Sequence, residues 1–125
     1  MGWVQDFAVS TPYELDQVMD AFVKLRSYGL DPTNGLLQTL GDTSAAMGKP
    51  LVQAVEAIAD AVTGENERLK EFGVTTAKVG KYYEYTYTNN GVQKTVKALA
   101  NDRGQIEEVL TGLFNEKYAG SMEKL

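Results

Sequence analysis

The chain has 125 residues, 43% hydrophobic and 10% aromatic, with 12 Lys and Arg against 17 Asp and Glu for a net charge of −5. That is the size of one ordinary domain with enough apolar matter for a core, which excludes wholesale disorder, and the acidic balance argues against a nucleic-acid binder. Cysteine and histidine are both absent. Disulfide scaffolds, zinc fingers, haem and iron–sulfur centres, thiolate nucleophiles and Ser-His-Asp catalysis are thereby excluded. No run approaches the ~20 apolar residues of a spanning helix, and no signal-peptide core follows Met1. The chain is expected to be soluble and intracellular.

Charge divides the chain. Residues 1–73 carry 5 basic and 11 acidic side chains, net −6, and residues 74–125 carry 7 and 6, net +1. The local signals change at the same point, from helix to strand. Trp3, Val4 and Phe7 begin abruptly, as if the chain were cut from a longer one. A first helix is predicted from Thr11 as cap, Pro12 at the first helical position and Glu14 closing a Thr-x-x-Glu box. Leu15, Val18, Met19, Phe22 and Leu25 then form one apolar stripe, and Gly29 stops it.

Asp31 and Pro32 open a second helix bearing Leu36, Leu37, Leu40 and Met47, which Gly35 and Gly41 weaken by roughly 1 kcal/mol each relative to Ala. Gly48 ends it. Pro50 opens a third, with Leu51, Val55, Ile58, Ala59 and Val62 inward and Gly64 as terminator. A short fourth piece, Glu65 to Phe72, stops at Gly73. Residues 11–73 thus read as a small bundle of three to four helices.

From Val74 the apolar period becomes two. Tyr83, Tyr85 and Tyr87 alternate with Glu84, Thr86 and Thr88, and Asn90-Gly91 is a strong hairpin signal. With those two as the loop, Thr88 faces Gln93, Thr86 faces Thr95 and Glu84 faces Lys97. On the other face Tyr87 meets Lys94 and Tyr85 meets Val96. Both sets are favourable cross-strand partners. Residues 74–98 therefore form an antiparallel hairpin, or a three-stranded sheet if Val74 to Val79 join through a turn at Gly80. A closing helix over 102–118 buries Ile106, Val109, Leu110, Leu113 and Phe114. Met122 and Leu125 are spaced as if another helix were beginning. The whole is predicted to be a single α+β domain, residues 1–125.

Little in it points to chemistry. Glu14, Asp16 and Asp20 lie along the first helix, but a hard cation needs six or more oxygens around it, and no calcium-loop pattern is present. They read as a solvated face. No phosphate-cradling glycine motif occurs. The remaining candidate is the Tyr-rich hairpin, whose tyrosines stand beside Lys78, Lys81, Lys94 and Lys97. Aromatics among basic residues can stack bases, but alternating Tyr is better read as the packed face of a hairpin with Lys guarding its edges. What remains for function is a protein partner, with Tyr83, Tyr85, Tyr87 and Lys94 as the candidate contact surface. No catalytic, cofactor or metal residues are expected.

Ordered blocks along the chain carry a resemblance. Ser10-Thr11-Pro12-Tyr13-Glu14-Leu15 is followed by Ala21-Phe22-Val23-Lys24-Leu25 and Gly29-Leu30-Asp31-Pro32. Then come Leu40-Gly41-Asp42-Thr43, Ala46-Met47-Gly48-Lys49, Val55-Glu56-Ala57-Ile58-Ala59-Asp60-Ala61, Thr63-Gly64-Glu65 and Glu67-Arg68-Leu69-Lys70-Glu71-Phe72-Gly73. With the closing Tyr118-Ala119-Gly120-Ser121-Met122-Glu123, this order resembles the amino-terminal domain of bacteriophage and prophage tail tape-measure proteins. The resemblance spans about Trp3 to Leu125 and is loosest over the hairpin. It implies a fragment of a longer, non-catalytic tail-length ruler, made in the bacterial cytoplasm and carried in the tail lumen. Tail-tube and tail-tip proteins and assembly chaperones are the implied partners. Neither cofactor, nucleic acid nor membrane is implied, and an exposed hairpin edge could pair with its own copy. The alternative is a generic prophage interaction domain whose Tyr/Lys hairpin binds another partner.

Overall fold

The computed structural model describes residues 2–124. Five α-helices and a three-stranded sheet follow in the order α1 (Gly2–Val9), α2 (Leu15–Ser27), α3 (Leu37–Met47), α4 (Leu51–Val62), β1 (Thr75–Val79), β2 (Tyr82–Asn89), β3 (Val92–Leu99) and α5 (Arg103–Tyr118). Helices come first, then an antiparallel sheet in the order β1-β2-β3, then the closing helix. This is the predicted α+β architecture.

The amino-terminal segment departs from expectation. Residues read as an abrupt start form α1, which buries Val4 and Phe7. The Trp3 ring stacks on Phe7 at 5.3 Å and tilts toward Phe22 on α2 at 5.7 Å. With α1 occupying that side, α2 begins later than predicted. Its cap is Glu14, not Thr11, and the Glu14 backbone N–H donates to Gln17 Oε1 at 3.0 Å. Thr11 instead accepts from the Tyr13 backbone N–H at 3.4 Å, holding a turn ahead of the helix.

Four helical segments end alike. After α2, the Leu30 N–H reaches back to the Leu25 carbonyl and the Gly29 N–H to that of Arg26, each at 3.0 Å. The same paired bonds close the ends at Gly48, Gly64 and Gly73. Each glycine sits at positive φ, where a Cβ would clash with its own carbonyl. The piece before Gly73 is a tight 3₁₀ coil, Glu67–Phe72.

Helix α3 is the centre of the helical body. A wide turn over Pro32–Leu36 leads into it, with Asp31 Oδ1 accepting from the Thr33 N–H at 2.9 Å. Residues Leu36, Leu37 and Thr39 to Ser44 are all buried, polar ones included. Such burial is tolerable because the polar groups are paired. Thr43 Oγ1 donates to the Thr39 carbonyl at 2.8 Å, and Asp42 Oδ1 accepts from the Met122 N–H at 3.0 Å. The Tyr13 hydroxyl donates to the Gly41 carbonyl at 2.9 Å and also meets the Ser44 hydroxyl.

Gly41 is therefore more than a weak point in a helix. A Cβ there would lie 2.7 Å from Met122 Sδ, so the glycine leaves room for the end of that side chain where the carboxy-terminal coil, Ser121–Lys124, meets α3. Leu125 lies outside the described residues.

One continuous core links all of this. Helix α4 contributes Leu51, Val55, Ile58 and Val62, and α5 contributes Ile106, Leu110, Leu113, Phe114 and Tyr118. Val109, expected inward, is only partly buried. Phe114 meets Phe72 edge-on at 6.4 Å and stacks on Tyr118 at 6.3 Å. The Tyr118 hydroxyl donates to the Phe72 carbonyl at 2.8 Å. Asp102 caps α5, its Oδ1 accepting from the Gln105 N–H at 3.0 Å.

Candidate interaction surface

The hairpin has the predicted register: Thr88 opposite Gln93, Tyr87 opposite Lys94, Thr86 opposite Thr95, Tyr85 opposite Val96 and Glu84 opposite Lys97. Asn90 and Gly91 both lie at positive φ, 53° and 78°, as a type I′ turn demands. Gly80, at φ 60°, makes the second two-residue turn and brings β1 alongside β2, with Thr76 opposite Tyr85 and Lys78 opposite Tyr83. One face of the sheet carries Tyr83, Tyr85, Tyr87, Val96 and Ala98 toward the helices. The other carries Thr75, Ala77, Val79, Glu84, Thr86 and Lys97, with Thr86 and Thr95 hydroxyls 3.1 Å apart.

The four candidate contact residues do not form one exposed surface. Tyr85 and Tyr87 are 0% and 3% exposed and belong to the core. Period-two alternation puts whole sets of residues on one face, and here the tyrosine face is the packed one. Burial pushes both phenols up to about 12, with Tyr83 adding to the effect on Tyr85, and the Glu116 hydrogen bond and charge adding to that on Tyr87.

Lys94 remains outside but is engaged. Its ammonium pairs with Glu116 of α5, which also accepts from the Tyr87 hydroxyl at 2.6 Å and from Asn89 Nδ2 at 3.1 Å. Lys94 and then Tyr87 hold the Glu116 carboxyl down at about 2. Lys117 adds a bond of 2.6 Å to the Thr88 carbonyl. These contacts fasten the hairpin tip to the closing helix. Glu14, Asp16 and Asp20 are all exposed, and among the described residues no group of three or more acidic side chains has a metal-holding arrangement.

Tyr83 is the one candidate tyrosine with an accessible side. Its ring lies 6.3 Å from that of Tyr85, and its hydroxyl closes against Gly64, where a Cβ would stand 3.0 Å away. There it borders a cleft of about 490 Å³ between the segment Gly64–Arg68 and strand β1, lined also by Asp60, Thr76 and Lys78. Arg68 is held on the α4 side by Asp60 at 3.0 Å and Glu56 at 3.2 Å, and Glu56 also receives Lys24 at 3.1 Å. Those cations, Lys24 first, keep the Glu56 carboxyl below its usual range. Two buried polar atoms beside the cleft, Asn66 Oδ1 and Thr76 Oγ1, have no hydrogen-bond partner among the described residues. Sequence reading missed this cleft because it is formed by residues about ten positions apart that only the turn at Gly73 brings together. The parity of β1 was the available signal.

This sheet-and-helix domain is similar to a prophage protein. The chain is 25% identical, over 99% of its length, to the Mu-like prophage FluMu protein gp42 of Haemophilus influenzae. It spans 21% of that protein's length. No family model matches the chain, and no solved structure matches it.

Proposed function

We propose that the chain is a non-catalytic structural module of a phage tail tape-measure protein, acting in tail assembly and tail-length determination through protein–protein contacts. The observation that carries this is the end-to-end similarity to a protein of a Mu-like prophage nearly five times as long. The ordered blocks from Ser10 to Gly73 supply the finer reading, because their sequence and spacing resemble the amino-terminal domain of tape-measure proteins. The composition supports it further, since a chain without cysteine or histidine lacks the commonest nucleophile–base pairs. The partners of such a module are tail-tube and tail-tip proteins and assembly chaperones. Its places are the bacterial cytoplasm during assembly and the tail afterwards. A folded body of this length has a radius of gyration of about 14 Å. Such a body works before the tube closes or at one end of it, or else unfolds to lie along it.

Tail length in electron micrographs, after in-frame removal of residues 11–120 from a phage or prophage that encodes the chain, tests the proposal. If the segment lies along the tube as helix, tails shorten by about 165 Å. If it works as a folded assembly module, tails are lost altogether. Normal, infectious tails would contradict both.

A further inference from the structure

The free edge of β1 has the features of a docking groove. Val79 and Tyr82 flank a two-residue turn and so form a pair that exchanges both backbone bonds. Alternation then assigns Ala77 with Glu84 and Thr75 with Thr86 to the ladder. The N–H and C=O groups of Thr76 and Lys78 point away from β2, along the edge that borders the cleft. Neither residue has another backbone partner among the described residues. On the opposite edge, among the described residues, only the outward Leu99 N–H is taken up, by Gln105 Oε1 of α5. Those of Gln93, Thr95 and Lys97 are as free as the β1 pair among the described residues, so what sets the β1 edge apart is the cleft beside it.

We infer that the cleft between Gly64–Arg68 and β1 receives a single extended segment of another polypeptide, which adds a fourth strand to the sheet on the β1 edge. The inference rests on the reading of the chain as an interaction module and names the surface and the kind of partner. Main-chain bonding to Thr76 and Lys78 gives affinity with little demand on sequence. Side-chain selection comes from the cleft. Thr76 Oγ1 and Asn66 Oδ1 stand buried and unpartnered beside the path, and rotation of either side chain toward an incoming segment would give it the hydrogen bond it lacks. Lys78 has no carboxylate within ion-pair distance among the described residues, while Asp60, Glu65 and Glu67 also line the cleft, so an acidic side chain is favoured only at the position opposite Lys78.

A second copy of the chain fits less well. Two-fold pairing through β1 would bring a second Gly64–Arg68 wall against the first, since such interfaces use the same patch on both partners. A lone strand brings no wall.

The test uses random-sequence peptides displayed on yeast, selected against the chain, then synthesised and titrated into isotope-labelled protein. Selected peptides should slow amide exchange at Thr76 and Lys78 and leave the amides of Gln93 and Thr95 on the other edge unchanged. Lys78→Pro removes the outward N–H together with the lysine side chain, so it should abolish binding while Lys78→Ala only weakens it, whereas Gln93→Pro on the β3 edge should leave binding intact. Selection of no binder, or protection elsewhere, would overturn the inference. So would concentration-dependent protection of Thr76 and Lys78 without peptide, which would make a second copy the occupant. If Lys78→Pro does not fold, the exchange pattern of the unaltered chain still decides. None of these outcomes bears on tail formation, so failure here leaves the tape-measure reading to its own test.

Discussion

The helical body and the sheet use the same core in opposite ways. Helix α3 is enclosed, so even Thr39, Asp42, Thr43 and Ser44 are buried, and the side chains of the last three find partners inside. The sheet covers the body with one face only. Tyr85, Tyr87 and Ala98 are buried on that face, while Val79 and Val92 at the strand ends remain half or more exposed. An antiparallel sheet tolerates this because its outer face can be polar. A closed region stores stability, and a half-covered one keeps backbone and side chains free for contact.

That contrast can be broken most severely where the two regions share side chains. Phe114 lies between Phe72 and Tyr118 and is 1% exposed. Phe114→Ala should cost about 3–5 kcal/mol. Chemical denaturation followed by both helix and tyrosine signals should show the two regions lost together; separate transitions would mean that they are independent.

A smaller effect is expected at Gly41. The methyl of Gly41→Ala would meet only the flexible end of the Met122 thioether, which can move aside, while alanine gains roughly 1 kcal/mol in helix propensity, so the two effects should nearly cancel. The same alanine combined with Met122→Ala removes the contact and should melt higher than Met122→Ala alone. No such gain would mean that more than the Met122 side chain crowds Gly41.

The third effect is local. Glu116 titrates at about 2 when folded against an ordinary 4.5, held down by Lys94 and Tyr87. Its folded pKa is depressed, so its contribution is fully present above about pH 5 and is lost as pH falls toward 2. Amides of the Asn89–Val92 turn should lose protection over that interval while those of α3 do not. Glu116→Gln should flatten the dependence.

Much of this was legible in the sequence, for identifiable reasons. Asn90-Gly91 admits positive φ at two successive positions, which fixes the loop, and the loop fixes every pair from Thr88–Gln93 to Glu84–Lys97. Gly29, Gly48, Gly64 and Gly73 mark helix ends because each meets one backbone requirement. Helix α1 was not legible, since the packing that fixes it includes Phe22, more than a dozen residues away. Thr11 and Glu14 show a related limit: two valid capping patterns overlap there, and tertiary packing selects the second. The candidate surface failed in part because alternation separates tyrosines into faces without saying which face is covered. Asn66 and Thr76 carry no motif, and only folding makes them neighbours of one cleft.

The openness of the β1 edge is the claim on which the interaction reading turns, and residue-resolved amide exchange across Thr75–Val79 of the unliganded chain tests it most directly. The register predicts fast exchange at Thr76 and Lys78 and slow exchange at Ala77 and Val79. Uniform protection along β1 would contradict it and show that the edge is already covered.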